Sequence, residues 1–327
     1  MKVLVTGATG FIGSHLVEAL VQEGAQVRCL VRDKRRLGWV KGCPVEFVVG
    51  DCQEKDSLKR GVKDVDQVFH LAGVTAAFKE NTYFEVNALG TENLVQACIE
   101  NNPRLEKFIY LSSQAAAGPS RTGEKKKESD PCEPVSPYGR SKLRGEELAL
   151  SHSHELPLLI LRPCAVYGPR DRGFYSLFKC LSGGIKPCLP DRDDQHISMC
   201  YVQDLVRAIL LAAEAQTENG EIFFVSDGQD YRMVEIGDIF AQTMEVRALR
   251  LRLPKQTLFG MAFFAECFSR VSGRPSIMNR GKVEEMTRKN WLCDITKARA
   301  LLGFEPRFSL VRGAELAVAW YKKENWL

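Results

Sequence analysis

The sequence predicts an α/β protein built on a doubly wound parallel sheet, a Rossmann-type fold, with a smaller, discontinuous substrate-binding region towards the C-terminus. Three observations predict it. Short β-branched runs alternate with amphipathic helical patterns through the first half of the chain. A glycine-rich turn, Thr6-Gly7-Ala8-Thr9-Gly10-Phe11-Ile12-Gly13, separates the first such run from the first helical pattern. With 327 residues, 45% of them hydrophobic, the chain is long enough to bury a sizeable core.

Taken in order, strands are expected at Lys2–Val5, Gln26–Leu30, Glu46–Val49, Gln67–His70, Lys107–Leu111 and Leu158–Leu161, with helices over Ser14–Glu23 and Thr91–Asn101 between them. After about residue 170 this rhythm fails, and Gly and Pro punctuate Gly183 to Pro190. The stretches Val202–Ala213 and Ile222–Val225 read as a return to the sheet. Residues 1–170, rejoined by 200–226, are therefore expected to form the dinucleotide-binding domain, and 171–327 mainly the substrate-binding one.

Composition excludes several classes. The net charge is only +4, and the one dense basic run, Lys125-Lys126-Lys127, is flanked by Glu124 and Glu128, so no nucleic-acid partner is expected. Eleven cysteines, an odd number with no Cys-x-x-Cys pair, suit reduced thiols in a cytoplasmic setting rather than a disulfide framework. The first five residues read as a strand, not a signal peptide. The longest apolar stretch, Leu258 to Ala265, falls far short of the roughly twenty residues a bilayer span needs.

The glycine turn lies between a strand and a helix, the context a dinucleotide site requires. Gly7, Gly10 and Gly13 allow a tight turn, close approach of a pyrophosphate to the helix start, and close packing of helix on strand. Their Gly-x-x-Gly-x-x-Gly spacing resembles that of the extended short-chain dehydrogenase/reductase superfamily, the NAD-dependent epimerase/dehydratase family. So do GDCQEKDSL (50–58), VFHLAG (68–73), NALGTENLV (87–95), YLSS (110–113), YGRSK (138–142), LRPCAVYGPR (161–170), YVQDLV (201–206) and KARALLGFEP (297–306), in that order.

The resemblance implies a nicotinamide cofactor held by Gly7, Thr9, Gly10, Phe11, Ile12 and Gly13, with Asp51 and Cys52 near the adenine and Leu71, Ala72 and Gly73 passing beside it. Pro163 and Val166 would wall the nicotinamide, and Lys142 would bind its ribose. In that family an acid ends the second strand when NAD is bound. Here the position is Val31, followed by Arg32 with Lys34, Arg35 and Arg36 nearby, which favours NADP, whose 2′-phosphate a guanidinium can grip. Asp33 keeps NAD in contention.

In Ser136-Pro137-Tyr138-Gly139-Arg140-Ser141-Lys142, Pro137 suits the first turn of a helix and places Tyr138 and Lys142 at i and i+4 on one face. Spacing alone favours an ordinary exposed helix, where a Tyr and Lys at i and i+4 often occur by chance. With the family pattern around it, the pair is read as catalytic: the ammonium would lower the phenol from about 10 towards working pH, making Tyr138 an acid/base group for an alcohol or ketone. Ser113, after the fifth strand, would hold the substrate oxygen, with Ser112 as fallback. Of the five histidines, His15, His70, His152 and His154 read as structural or solvated, and only His196 is a candidate for substrate contact. No metal pattern is present in the sequence.

Gln114-Ala115 replaces the Asp-Glu pair of the sugar dehydratases, and Ile197 stands where nucleotide-sugar epimerases usually keep an arginine. Leu258, Phe259, Met261, Phe263, Phe264 and Phe268 form a helical pattern that is apolar nearly all round and resembles the substrate cover of dihydroflavonol-reductase-like and 3β-hydroxysteroid-dehydrogenase-like members. The sequence thus reads as an NADP-preferring oxidoreductase acting on a small, largely apolar alcohol or ketone, assembled as a homodimer. A nucleotide-sugar epimerase is the first alternative and a non-catalytic cofactor sensor the second. The same apolar helix leaves peripheral membrane contact open.

Overall fold

Val3, Leu4 and Val5 are wholly buried in β1 (Lys2–Thr6), an inner strand of a seven-stranded sheet. In this computed structural model, which describes residues 1–189, 195–273 and 275–327, the sheet continues with β2 (Gln26–Val31), β3 (Glu46–Val49), β4 (Gln67–His70), β5 (Lys107–Leu111), β6 (Leu158–Pro163) and β7 (Glu221–Val225). Their order is 3-2-1-4-5-6-7, all parallel. Every strand expected from the sequence is present.

Parallel strands need crossover helices, and these cover both faces. Val3 and Val5 pack against Leu16, Val17 and Leu20 of α1 (Phe11–Gln22) and, further on, Leu205 and Ile209 of the returning helix Val202–Glu214. Leu4 and Val68, on the other face, pack with Leu94 and Val95 of α2 (Gly90–Asn101) and Ala149 of α3 (Pro137–Leu150). The alternation of strand side chains thus feeds two cores at once. α1 begins at Phe11, three residues before the periodicity suggested, because Phe11 to Gly13 of the glycine turn already belong to the helix.

A further core gathers around Tyr167, Phe178, Tyr201, Phe240 and Tyr321, with Phe178 stacked on Phe240 at 4.4 Å. Beyond it the strand Ile185–Cys188 pairs in parallel with β8 (Leu249–Arg252), which leads into α4 (Lys255–Ser272); α5 (Arg280–Met286) follows. Pro190, counted in the irregular stretch of the sequence, lies outside the described residues.

One contact ties α3 to β6. Arg162 donates to Glu146 from Nε at 3.0 Å and from Nη2 at 2.6 Å, and the two side chains are 3% and 1% exposed. Neither charge is tolerable there alone. Glu146→Ala should therefore cost about 3–5 kcal/mol, read by denaturant unfolding, whereas removing the exposed Arg144–Glu147 pair should shift stability by no more than about 0.5 kcal/mol.

Candidate active site

The strand order reverses between β1 and β4, so a crevice opens at their carboxyl ends. It widens into a cleft of about 1390 Å³ that runs from the glycine turn to α4 and α5. At its base Gly7 has φ +69°, and a Cβ there would lie 2.6 Å from the Leu71 carbonyl carbon. A Cβ on Gly13 would lie 2.2 Å from Gly7 O. Backbone and helix start can approach this closely only with glycine. The first-turn amides of α1 have no intrahelical acceptor, no side chain caps them, and no acidic residue stands among them, so the helix start presents donors to the cleft.

Ser136 caps α3 by accepting from Gly139 N at 3.0 Å, and Pro137 follows it, as the sequence pattern requires. Tyr138, Lys142 and Glu146 then share one face. Tyr138 stands in the cleft with the Ser113 hydroxyl acting on its phenol, which makes Ser113 rather than Ser112 its neighbour. Ser113 also accepts from Ala115 N at 3.1 Å and so caps the short helix Gln114–Ala117. Ser112 Oγ and Gln114 Nε2, both buried and lining the cleft, have no hydrogen-bond partner among the described residues.

The expected lowering of the tyrosine by Lys142 does not occur in this structure. Burial pushes the Tyr138 phenol up to about 12, and Glu285 and Tyr83 add to the rise against the Ser113 hydrogen bond. Lys142 Nζ is committed elsewhere, donating to Leu111 O at 2.8 Å and lying 4.3 Å from the centre of the Tyr110 ring. Burial lowers its ammonium to about 7, although Glu146 pulls the other way.

Gly7, Thr9, Gly10, Phe11, Ile12, Gly13, Leu71, Gly73, Ser113, Tyr138, Lys142, Pro163 and Val166 all line this one cleft. Four expected residues do not. Arg32 is exposed just beyond β2, Asp51 binds the Gln53 amide at 3.0 Å, Cys52 is buried in the core with Leu30 and Leu58, and Ala72 N donates to Thr6 Oγ1 at 3.2 Å. Asp33, the residue that kept NAD in contention, is held by Arg35 through Nε at 3.0 Å and the backbone amide at 2.9 Å, contacts that lower its pKa.

His70 is buried and neutral, kept far below the usual histidine range by burial and then by Lys142, with Thr6 Oγ1 at 2.7 Å and Thr91 Oγ1 at 2.9 Å. His196 does not reach the cleft; its Nδ1 meets Asp230 at 2.8 Å while its neighbours Gln195 and Ile197 line the site. The apolar helix also departs from expectation. Leu258, Glu266, Ser269 and Arg270 of α4 form cleft wall, but Phe263, Phe264 and Phe268 are exposed and line nothing. No group of three or more His, Cys, Asp or Glu among the described residues could hold a metal.

A family model described as the NAD dependent epimerase/dehydratase family matches residues 3–226. The chain belongs to that family. It is 30% identical over 328 residues to a ceramide reductase of Caulobacter vibrioides, covering 99% of this chain and 96% of the relative. It is 26% identical over 332 residues to a 4-hydroxy-2-methyl-3-oxo-4-farnesyl-3,4-dihydroquinoline-1-oxide ketoreductase of Stigmatella aurantiaca, covering 96% of this chain and 95% of that one. The crystal structure of a UDP-glucuronic acid 4-epimerase from Bacillus cereus with UDP-glucuronic acid and NAD matches at TM-score 0.80 and 26% identity, over 99% of this chain and 100% of that chain. Reductases and nucleotide-sugar epimerases thus both stand among the similar proteins of this NAD-dependent family.

Several residues in or around the cleft escaped the sequence reading. Asn87, within the family motif NALGTENLV, is wholly buried and clamps the loop after β4 by accepting from Val74 N at 2.8 Å, while its amide donates to Ser141 Oγ on α3 at 2.9 Å. Arg170, in the left-handed region at φ +72°, bonds Ser14 and Glu18 and lies 5.2 Å from the Trp39 ring centre. Glu285 accepts from Ser136 Oγ at 2.5 Å, bringing a carboxylate beside Tyr138 from far along the chain. Only Asn87 and Arg170 had a signal, their place inside a motif.

Gly13→Ala tests the glycine turn. With the new Cβ driven against Gly7 O, overpacking should cost about 1–3 kcal/mol, and titration with NAD or NADP should show weakened binding.

Proposed function

We propose that the protein reduces a ketone, or oxidises the corresponding secondary alcohol, of a largely apolar molecule, with Tyr138 as the acid/base group and NADP preferred over NAD. The observation that carries this reading is Tyr138 standing in the cleft with Ser113 on its phenol and Lys142 one helical turn along the same face. The cofactor supplies or accepts the hydride. Ser113 and Tyr138 hold the substrate oxygen between two hydroxyls, and the phenol, protonated at neutral pH, gives its proton to that oxygen as negative charge develops there. Lys142, fixed by Leu111 O and the Tyr110 ring, places a titratable donor where the nicotinamide ribose is expected. Ser112 and Gln114 add unpartnered polar atoms at the same floor.

Two features support an apolar substrate. Phe174, Leu177, Ile197, Met233, Leu253 and Met278 line the part of the cleft beyond Tyr138. Several cations that a diphosphate would need are already engaged: Arg280 with Glu266 at 3.0 Å, Lys282 with Glu285 at 3.2 Å, Arg170 with Glu18 at 2.7 Å, and Lys186 with Asp238. The epimerase reading rests on the 26% identical epimerase structure; a sugar nucleotide would have to displace those carboxylates or rely on Arg172 and Arg270, which also line the cleft.

Tyr138→Phe should abolish turnover with an identified ketone while leaving cofactor affinity within about twofold, and Ser113→Ala should slow the rate roughly 10²–10⁴-fold. Near wild-type turnover by Tyr138→Phe would remove the tyrosine from its role. Calorimetry against UDP-sugars and apolar ketones on the NADP-loaded protein separates the two substrate classes, since only the epimerase reading expects micromolar UDP-sugar binding.

For the cofactor, Arg32 projects past the end of β2 while the competing carboxylate of Asp33 is occupied by Arg35. Arg32→Ala should weaken NADP at least tenfold more than NAD, because only NADP carries the phosphate a guanidinium would grip. Equal losses for both dinucleotides, or a wild-type preference for NAD, would refute it.

A further inference from the structure

A helix that packs one face on a protein and shows the other to water ordinarily carries charges on the outer face. α4 inverts that pattern. Its inner line, Leu258, Ala262 and Ser269, is buried. Its outer line, Met261, Phe264, Phe268 and Val271, falls at i, i+3, i+7 and i+10, and Phe264 and Phe268 are each 72% exposed and Val271 86%. Phe263 flanks this line at 51%. From Gln256 to Ala265 the helix has no charged residue at all. The strand leading into it, β8, adds Leu249 at 82% exposure. None of these side chains is required by the core, so burial within this chain does not account for them.

The charges around the patch indicate what covers it. Residues 247–271 carry Arg247, Arg250, Arg252, Lys255 and Arg270 against the single acid Glu266; Arg250 meets Asp238 at 3.4 Å, Lys255 meets Glu284 at 3.8 Å and Glu266 meets Arg280 at 3.0 Å, while Arg247, Arg252 and Arg270 have no ion-pair partner among the described residues. A second copy docked on this patch by two-fold symmetry would bring a second set of the same cations to the interface and no added acid. An anionic bilayer surface complements them, while the phenylalanines enter the acyl boundary. No helix of the described residues is long and apolar enough to cross a membrane, so a helix lying in the surface plane is the arrangement this segment can adopt.

We infer that α4 is a docking helix for an anionic phospholipid surface, resting on Met261, Phe264, Phe268 and Val271, and that it sets the mouth of the active-site cleft against the bilayer. Its inner residues Leu258, Glu266, Ser269 and Arg270 are themselves cleft wall. The cleft therefore opens within about one helix diameter, roughly 10 Å, of the lipid. A long-chain ketone dissolved in the membrane reaches Tyr138 without crossing water. This delivery role rests on the ketone-reductase reading above; the docking itself does not.

The test is flotation of the full chain with phosphatidylcholine vesicles containing or lacking 30% phosphatidylglycerol (about one lipid in three), comparing wild type with Phe264→Asp/Phe268→Asp and with Arg250→Glu/Arg252→Glu. Wild type should float with the anionic vesicles and lose binding in high salt. Both double variants should bind at least tenfold more weakly while keeping wild-type circular dichroism and wild-type turnover of a water-soluble ketone. Turnover of a long-chain ketone presented in the vesicles should fall with the binding. Absence of wild-type binding to anionic vesicles overturns the proposal, as does undiminished binding by Phe264→Asp/Phe268→Asp, or a wild-type dimer that this variant splits without any vesicle binding. Flotation with no turnover of any ketone would leave docking standing and refute the reductase reading instead.

Discussion

The buried pair between Glu146 and Arg162 sets the geometry on which the cleft depends. Arg162 lies on β6, immediately before Pro163, and Glu146 lies two turns beyond Tyr138 on the same face of α3. Both oxygens of the carboxylate are engaged, so the contact fixes the rotation of α3 about its axis as well as its height along the sheet. An ion pair at 1–3% exposure contributes little net stability against an apolar replacement, since desolvation consumes most of the Coulomb attraction. What it supplies is uniqueness: any sliding or turning of α3 would strand two charges in the core. The phenol of Tyr138 and the ammonium of Lys142 inherit their positions from that restriction.

At its N-terminus the same helix is bound to a remote part of the chain. Ser136 caps α3 through Gly139 N and donates to Glu285 on α5, which also accepts from Lys282. The Ser136 hydroxyl thereby links α5 to the start of α3. The cost falls on Tyr138, because a carboxylate nearby and the loss of water both favour its protonated form. A tyrosine held there is a proton donor at rest, and a bound cofactor bearing positive charge would be the natural counterweight when the reaction runs as an oxidation.

The sheet was legible in the sequence because its strands are buried on both sides and bounded by glycine and polar turns, a signal carried by contiguous residues. The three side chains proposed for the chemistry were legible for a similar reason: Tyr138 and Lys142 lie in one helical turn, and Ser113 follows a recognisable strand. What the sequence could not display were relations between distant segments. Nothing in the periodicity of 280–286 brings Glu285 to Ser136, and nothing in the spacing of Tyr138 and Lys142 reveals that Leu111 O and Tyr110 take the ammonium first. Burial, decided by the whole fold, then reversed the direction expected for the tyrosine.

The apolar helix shows where pattern reading ends. Six large apolar side chains between Leu258 and Phe268 predict a helix that is hydrophobic all round, and such a helix is at home in a core, over a ligand or against lipid. Periodicity cannot separate these, because all three environments reward the same residues. The structure does separate them: Leu258 and Ala262 are buried with Val283 of α5 and Phe259 packs alongside, whereas Phe263, Phe264 and Phe268 are exposed. One helix therefore contributes wall to the cleft from Leu258, Glu266, Ser269 and Arg270 while presenting Phe264, Phe268 and Val271 as an apolar outer surface.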